Sequence, residues 1–219
     1  MIERKFIEDK VKDLKIRNYL KEKLSSVGYS HAEIEKTPLG IKIVIYSSKP
    51  GLIVGRGGEN IRTMTEYLEK HFKLDSPQIE VREVDNPDLD PQIMSERIAA
   101  QLSRFGASYF KAIGYRNLQR IMNAGAIGAE ILISGRIPGS RAKRWAFRAG
   151  YLPKCGQVAV DQVLKGFTAS KTKRGVTGIF VKILPPWAEM PDTYKSKISK
   201  EIEVEEIEEN ESKETKGNE

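Results

Sequence analysis

The chain has 219 residues, 39% hydrophobic and 31% charged, with a net charge of +7. That length suits two small domains, or one domain with a tail, and no apolar run approaches the roughly 18 residues of a membrane span. Cys155 is the only cysteine, so an internal disulfide is excluded, in keeping with a reducing compartment. Met1-Ile2-Glu3-Arg4-Lys5 reads as the start of a charged helix, and no signal peptide is expected.

Residues 3–27 read as helical, broken at most once. Ile7, Val11 and Leu14, then Leu20, Leu24 and Val27, recur at helical spacing, and Gly28 is the stop. Two strands follow around the turn Thr37-Pro38-Leu39-Gly40, the second marked by the alternation of Ile41, Ile43 and Ile45. A short helix near 50–54 then meets Ile53-Val54-Gly55-Arg56-Gly57-Gly58-Glu59-Asn60-Ile61, and a helix is expected over 58–72. Leu52, Ile53 and Val54 before the loop, with Ile61, Met64 and Leu68 after it, are expected to share a core. Gln78 to Val84 makes a third strand.

The glycine loop carries the chemistry of this half. Gly55 and Gly58 lack Cβ, tolerate positive φ and let another backbone approach closely. The helix behind them offers unpaired N–H groups and the positive end of its dipole to phosphate. A Gly-x-x-Gly loop that clamps about four backbone nucleotides is the working part of a K-homology (KH) domain. Two rival motifs fail: a dinucleotide fingerprint needs glycine where Asn60 stands, and the P-loop lookalike from Gly166 to Lys171-Thr172 lacks the glycine before its lysine. The order helix, strand, strand, helix, loop, helix, strand is that of the prokaryotic-type (type II) KH domain.

Asp85-Asn86-Pro87-Asp88-Leu89-Asp90-Pro91 is a turn-rich acidic linker, and the charge balance switches behind it. Residues 1–91 hold 16 basic and 16 acidic residues; residues 92–184 hold 16 basic residues against only Glu96, Glu130 and Asp161. Residues 185–219 hold 5 basic and 11 acidic residues. A segment at +13 repels itself unless a polyanion neutralises it, and nucleic acid is the natural partner.

Within that basic segment two helices are expected, about 92–105 and 107–123. Met94, Ile98, Leu102 and Phe105 form one core stripe, and Phe110, Ile113, Leu118 and Ile121 the other. Arg97, Arg104, Lys111, Arg116 and Arg120 are left to outward faces. Three or four strands follow, clearest at 127–134, 156–165 and 176–184. Between the strands, Ser134 to Arg148 carries Arg136, Arg141, Lys143, Arg144 and Arg148 with Trp145 and Phe147 interleaved. Arg forks two donors to phosphate and stacks on bases, whereas the two aromatics are favoured as core of the next strand. Lys171, Lys173 and Arg174 form a second basic cluster before the last strand, so loops at one end of a sheet converge on one RNA surface. Beyond Pro185-Pro186 the Glu/Lys/Ser-rich composition predicts disorder from about residue 190.

The glycine-loop nonapeptide, together with Gly125-Ala126-Ile127-Gly128-Ala129-Glu130-Ile131 running into Ser134-Gly135-Arg136, and Gly175-Val176-Thr177-Gly178-Ile179-Phe180-Val181-Lys182-Ile183, resembles the universal small-subunit ribosomal protein three (S-three) family over residues 1–185. Arg141-Ala142-Lys143 and the acidic tail look like its archaeal and eukaryotic branch. The resemblance implies an α+β fold: a type II KH domain over 1–86, a linker over 87–91, the family's two-helix, three-to-four-strand C-terminal domain over 92–185, and an acidic tail over 186–219. It also implies a non-catalytic constituent of the small-subunit head in the cytoplasm. Such a protein binds ribosomal RNA, packs on neighbouring head proteins and lines the channel where messenger RNA enters.

By the same resemblance, Gly55, Arg56, Gly57 and Gly58 form the RNA-binding loop of the KH domain. Arg136, Arg141, Lys143, Arg144, Arg148, Lys171, Lys173 and Arg174 are expected on ribosomal RNA. A basic cluster that helps bacterial members unwind messenger RNA falls on Lys111, Ala112 and Tyr115; only Lys111 is a cation here, with Arg116 and Arg120 on the same helix. No cofactor, metal, small-molecule substrate or membrane is expected, and His31 and His71 have no ligand or triad spacing. Two other readings stand beside this one. A nucleic-acid-processing enzyme, such as an abasic-site lyase, would show itself by a borohydride-trapped adduct. A free-standing KH RNA chaperone would fail to sediment with the small subunit.

Overall fold

The computed structural model describes residues 2–190 except 26, 38–39, 73, 75–76, 138 and 173–174. Its elements fall around two sheets. The first has the order β1-β2-β3 and the second β5-β4-β7-β6. The described residues up to 186 pack as one unit.

Helix α1 (Ile2–Leu24) runs unbroken for 23 residues. Ile16, Leu20 and Leu24 bury one stripe of its second half against the first sheet. The expected stripe of the first half is not core: Ile7, Val11 and Leu14 are exposed, as is Phe6. Periodicity reports an apolar face, not a covered one. The helix also stops at Leu24, and a turn at Val27 and Gly28 (φ 79°) leads into the sheet. Strands β1 (Tyr29–Thr37) and β2 (Gly40–Ser47) pair antiparallel, with residues 38–39 of their turn outside the described set. An irregularity between Tyr29 and Ala32 lets both point into the core. Strand β3 (Gln78–Glu83) pairs parallel to β2, so the chain must cross over between them. That crossover consists of α2 (Pro50–Val54), the glycine loop and α3 (Glu59–Phe72).

Helix α4 (Pro91–Phe105) begins where the linker ends. Asp90 caps it, its Oδ1 accepting the N–H groups of Gln92 at 2.8 Å and Ile93 at 3.1 Å, with Pro91 in the first turn. Helix α5 (Phe110–Asn123) follows a 3-10 turn over Ala107–Tyr109. Strands β4 (Gly128–Gly135), β5 (Lys143–Gly150), β6 (Leu164–Thr172) and β7 (Gly175–Leu184) form an antiparallel sheet. Both helices pack on one face of it, over Ile131, Ile133, Phe147, Ile179, Val181 and Ile183. Gly166 lets the start of α4 lie directly on β6, because a Cβ there would run into the Pro91 carbonyl.

Three expectations change in this half. Residues 156–165 are not a strand: the short helix α6 (Gln157–Asp161) follows Gly156, and β6 starts at Leu164. A five-residue apolar run cannot distinguish strand from helix. The basic turn is confined to residues 136–142, since β5 takes over at Lys143. Phe105 ends α4 in solvent beside Arg104 rather than closing the core stripe. The expected disorder beyond residue 190 falls on residues outside the described set.

A polar seam joins the two sheets. Lys21 donates to Gln92 Oε1 and to the Phe167 carbonyl, both at 3.4 Å. Gln92 Nε2 donates to Glu96 Oε1 at 3.0 Å and to Thr168 at 3.3 Å. Ser30 donates to Asp90 Oδ2. Glu96 is 7% exposed, and its Oε2 has no hydrogen-bond partner among the described residues. Burial pushes the Glu96 carboxyl up to about 7, against smaller opposing effects of Gln92 and Lys21. Burial likewise raises the Tyr29 hydroxyl to about 12.

A carboxyl raised on folding supports stability below its unfolded value, near 4.5, and withdraws that support as pH rises through about 7. Glu96→Gln is therefore expected to match the parent near pH 4.5 and to exceed it by up to about 3 kcal/mol above pH 8. Urea melts of the two proteins across that range check this.

Candidate nucleic-acid interface

The glycine loop is built from two kinds of glycine. Gly55 (φ 72°, ψ −176°) ends α2, and its N–H donates to the Gly51 carbonyl at 3.1 Å. A Cβ at Gly55 would sit 2.6 Å from Asn60 Nδ2. That amide in turn donates to the Leu52 carbonyl at 3.3 Å, tying the two helices together across the loop. Gly57 (φ 63°) and Gly58 (φ 78°) are different: a Cβ on either meets nothing within 4 Å. Gly55 is thus required by packing, whereas Gly57 and Gly58 give open approach to the backbone of a short 3-10 turn, Arg56–Gly58. Arg56 is exposed there. Ile53, Met64 and Leu68 form the expected shared core, but Leu52 projects into solvent. A cleft of about 420 Å³ opens beside the loop, lined by Tyr19, Lys23, Leu52, Asn60, Thr63 and Tyr67 among others.

In the second sheet the loop between β4 and β5 and the turn between β6 and β7 leave from the same end. Gly135 pairs with Lys143, and Thr172 with Gly175, while the β4 end lies beside Val176 and Thr177. Arg136, Arg141, Lys143, Arg144 and Lys171 are exposed at or near that end. Lys173 and Arg174 lie outside the described residues. Arg136 Nε donates to the Ser140 carbonyl at 2.9 Å, which holds the loop closed on itself. Arg148 is not part of this group. It sits near the other end of β5, where its Nε donates to Glu130 Oε1 at 2.5 Å.

The two aromatics of the basic stretch are core. Phe147 is buried against Phe110 and Tyr115. Trp145 is half-buried against Phe110, and its Nε1 donates to the Ile137 carbonyl at 3.2 Å, pinning the loop.

On α5 the three candidates separate. Lys111 leans toward β5, its Nζ 5.4 Å from the Trp145 ring. Arg120 turns the other way, to the linker, where its Nε donates to Asp88 Oδ2 at 2.8 Å. Asp88 Oδ1 also accepts from Arg97 at 2.7 Å. One linker carboxylate therefore occupies two arginines, and Arg116 is left exposed between Lys111 and Arg120. Lys165 and Lys182, on β6 and β7, were not among the expected contacts. The alternation of Lys165, Phe167, Ala169 and Lys171 along β6 carries the signal for Lys165, and that of Phe180 and Lys182 along β7 the signal for Lys182. Cys155 is exposed, and among the described residues no group of three His, Cys, Asp or Glu is placed to hold a metal.

Comparison with known proteins matches these two sheets to two families: the KH domain over residues 15–89, and the ribosomal protein S3 C-terminal domain over residues 98–183. The small ribosomal subunit protein uS3 of Methanocaldococcus jannaschii is 47% identical over 192 residues, 88% of this chain and 91% of the relative. That of Methanosphaera stadtmanae is 41% identical over 206 residues, covering 94% and 81%. That of Methanobrevibacter smithii is 42% identical over 214 residues, covering 95% and 85%.

The division between the glycines has a measurable consequence. Gly55→Ala meets both a positive φ and the Asn60 side chain, so it should cost about 2 to 4 kcal/mol. Gly57→Ala meets only the backbone preference and should cost about 1 to 2 kcal/mol. Urea unfolding of both variants checks the order; equal losses would mean that packing at Gly55 contributes nothing.

Proposed function

Because the chain belongs to the ribosomal protein S3 (uS3) family of the small ribosomal subunit, we propose that it is a structural constituent of the subunit head. There it binds ribosomal RNA and lines the channel through which messenger RNA enters. We assign 1–86 to the KH domain and 92–185 to the C-terminal domain, joined by 87–91. The observation that carries the reading is the charge of the second sheet's loop end. Among the described strand residues the cations far outnumber the acids, Glu130 being the only acidic residue within the four strands. Such a surface recognises phosphate without reading sequence.

The KH loop complements it. Residues 1–91 are electrically balanced, so they add little long-range attraction. Open backbone at Gly57 and Gly58 suits close contact with a single strand, with Arg56 beside it. Lys111 and Arg116 are proposed to face messenger RNA, whereas Arg120 is held by Asp88.

If about six phosphates are neutralised, log K for ribosomal RNA should fall against log salt with a slope of roughly −4 to −5. A flat response, measured by filter binding of the full chain, would sink the anchoring role. Separately, Gly57→Asp with Gly58→Asp should weaken crosslinking of single-stranded RNA near the loop while co-sedimentation with small subunits in high salt persists. Unchanged crosslinking would make the loop a structural turn only.

A further inference from the structure

Helices α4 and α5 pack on one face of the second sheet; on the opposite face the side chains form rows across the strands. Thr168 and Ser170 bond to α4, so Lys165, Phe167 and Ala169 point the opposite way. Pairing then aligns Arg148, Glu130, Lys182 and Lys165 in one row and Ala146, Leu132, Phe180 and Phe167 in the next. Arg144, Ser134, Gly178 and Ala169 make the third. Adjacent rows are two residues, roughly 6.6 Å, apart.

Two details make this more than a solvated face. Glu130 is buried between Arg148 and Lys182, 2.5 Å from one and 3.7 Å from the other. It is neutralised twice over and leaves the row with a cationic surplus. Phe167, at 55% exposed, leans over Gly178, where a Cβ would come within 3.6 Å of its ring. An aromatic on this exposed strand position, beside a glycine that carries no side chain, keeps more than half of its surface open. Phe180 continues the row inward, with the Lys182 ammonium 5.4 Å from its ring.

We propose that this open face binds an unpaired stretch of RNA, a base stacking on Phe167 while phosphates lie along Lys165, Lys182 and Arg148. The proposal rests on the RNA-binding reading above but concerns a surface separate from the loop end and the KH loop. Charge complementarity selects a polyanion. The exposed ring selects one carrying flat bases over an acidic peptide, for which the ring has no use.

The test uses the full chain and two fluorescent probes of equal charge, a 12-nucleotide uridylate and a 12-unit abasic oligomer. Anisotropy is read near physiological salt. The wild type should prefer the uridylate. With the KH loop weakened by Gly57→Asp and Gly58→Asp, adding Phe167→Ala should lower uridylate affinity by roughly 5- to 150-fold and leave abasic affinity unchanged. Lys165→Gln with Lys182→Gln should lower both. Photocrosslinking of 5-iodouridine probes should map to Phe167 or Phe180. Equal binding of both probes by the wild type would make the face a charge-only surface, such as an acidic segment would use, and would overturn the stacking site. So would a uridylate affinity unaltered by Phe167→Ala in that background. In either case a retained salt slope keeps the wider RNA-binding reading; loss of all salt-dependent RNA binding removes both.

Discussion

Asp90 holds the molecule's two halves in one geometry by dividing its carboxylate between them. One oxygen closes the first turn of α4, and the other accepts from Ser30 on β1 of the opposite sheet. A cap alone is worth about 1 kcal/mol. Its greater effect here is positional, because α4 is the helix that packs along β6 and β7. Once its start is fixed, Pro91 seats against Gly166 and Gln92 reaches Thr168. The seam is polar, and one of its members, Glu96, lacks a second partner among the described residues. The join thus trades some stability for a set relation between the sheets.

The two surfaces proposed to face RNA are limited by different physics. At the glycine loop the constraint is access: backbone is exposed because two positions carry no side chain, and charge contributes little. At the end of the second sheet the constraint is charge, and loop geometry only gathers it. Asp88 shows how the two are kept apart. It binds Arg97 and Arg120 beside the linker and cancels one of their two positive charges there, which weakens the basic field toward the KH half. Each exposed pair is worth little in stability. Its main effect is on where positive potential is available.

Much of this was legible in the chain. The KH half read correctly in element order because its helices are long and periodic and its glycines sit at a junction. The apolar alternation of Ile179, Val181 and Ile183 located β7, and the charge switch after residue 91 located the basic half. What failed did so for local reasons. Val158 and Val160 alternate like a strand, yet Gly156 starts a helical turn there. That displaced β6 and hid which side of it Lys165 and Phe167 occupy. The fate of Arg120 and Arg148 was beyond sequence, because each is decided by one distant acid, Asp88 or Glu130. Leu132 shows the same limit: it alternates with core isoleucines yet is buried on the opposite face, since β4 is a central strand.

The half-covered α1 remains. From Ile16 to Leu24 it is pressed against a sheet, and from Phe6 to Leu14 its apolar side chains face solvent. Isolated helices shorter than about 12 to 15 residues are marginal in water. The exposed turns therefore owe their order largely to propagation from the anchored end, helped by the Lys36–Asp9 and Lys10–Asp13 pairs. Mechanically, α1 is a stiff base with a compliant tip. Phe6 and Ile7 sit on the part whose direction can still be set by a neighbour, without disturbing the sheet beneath.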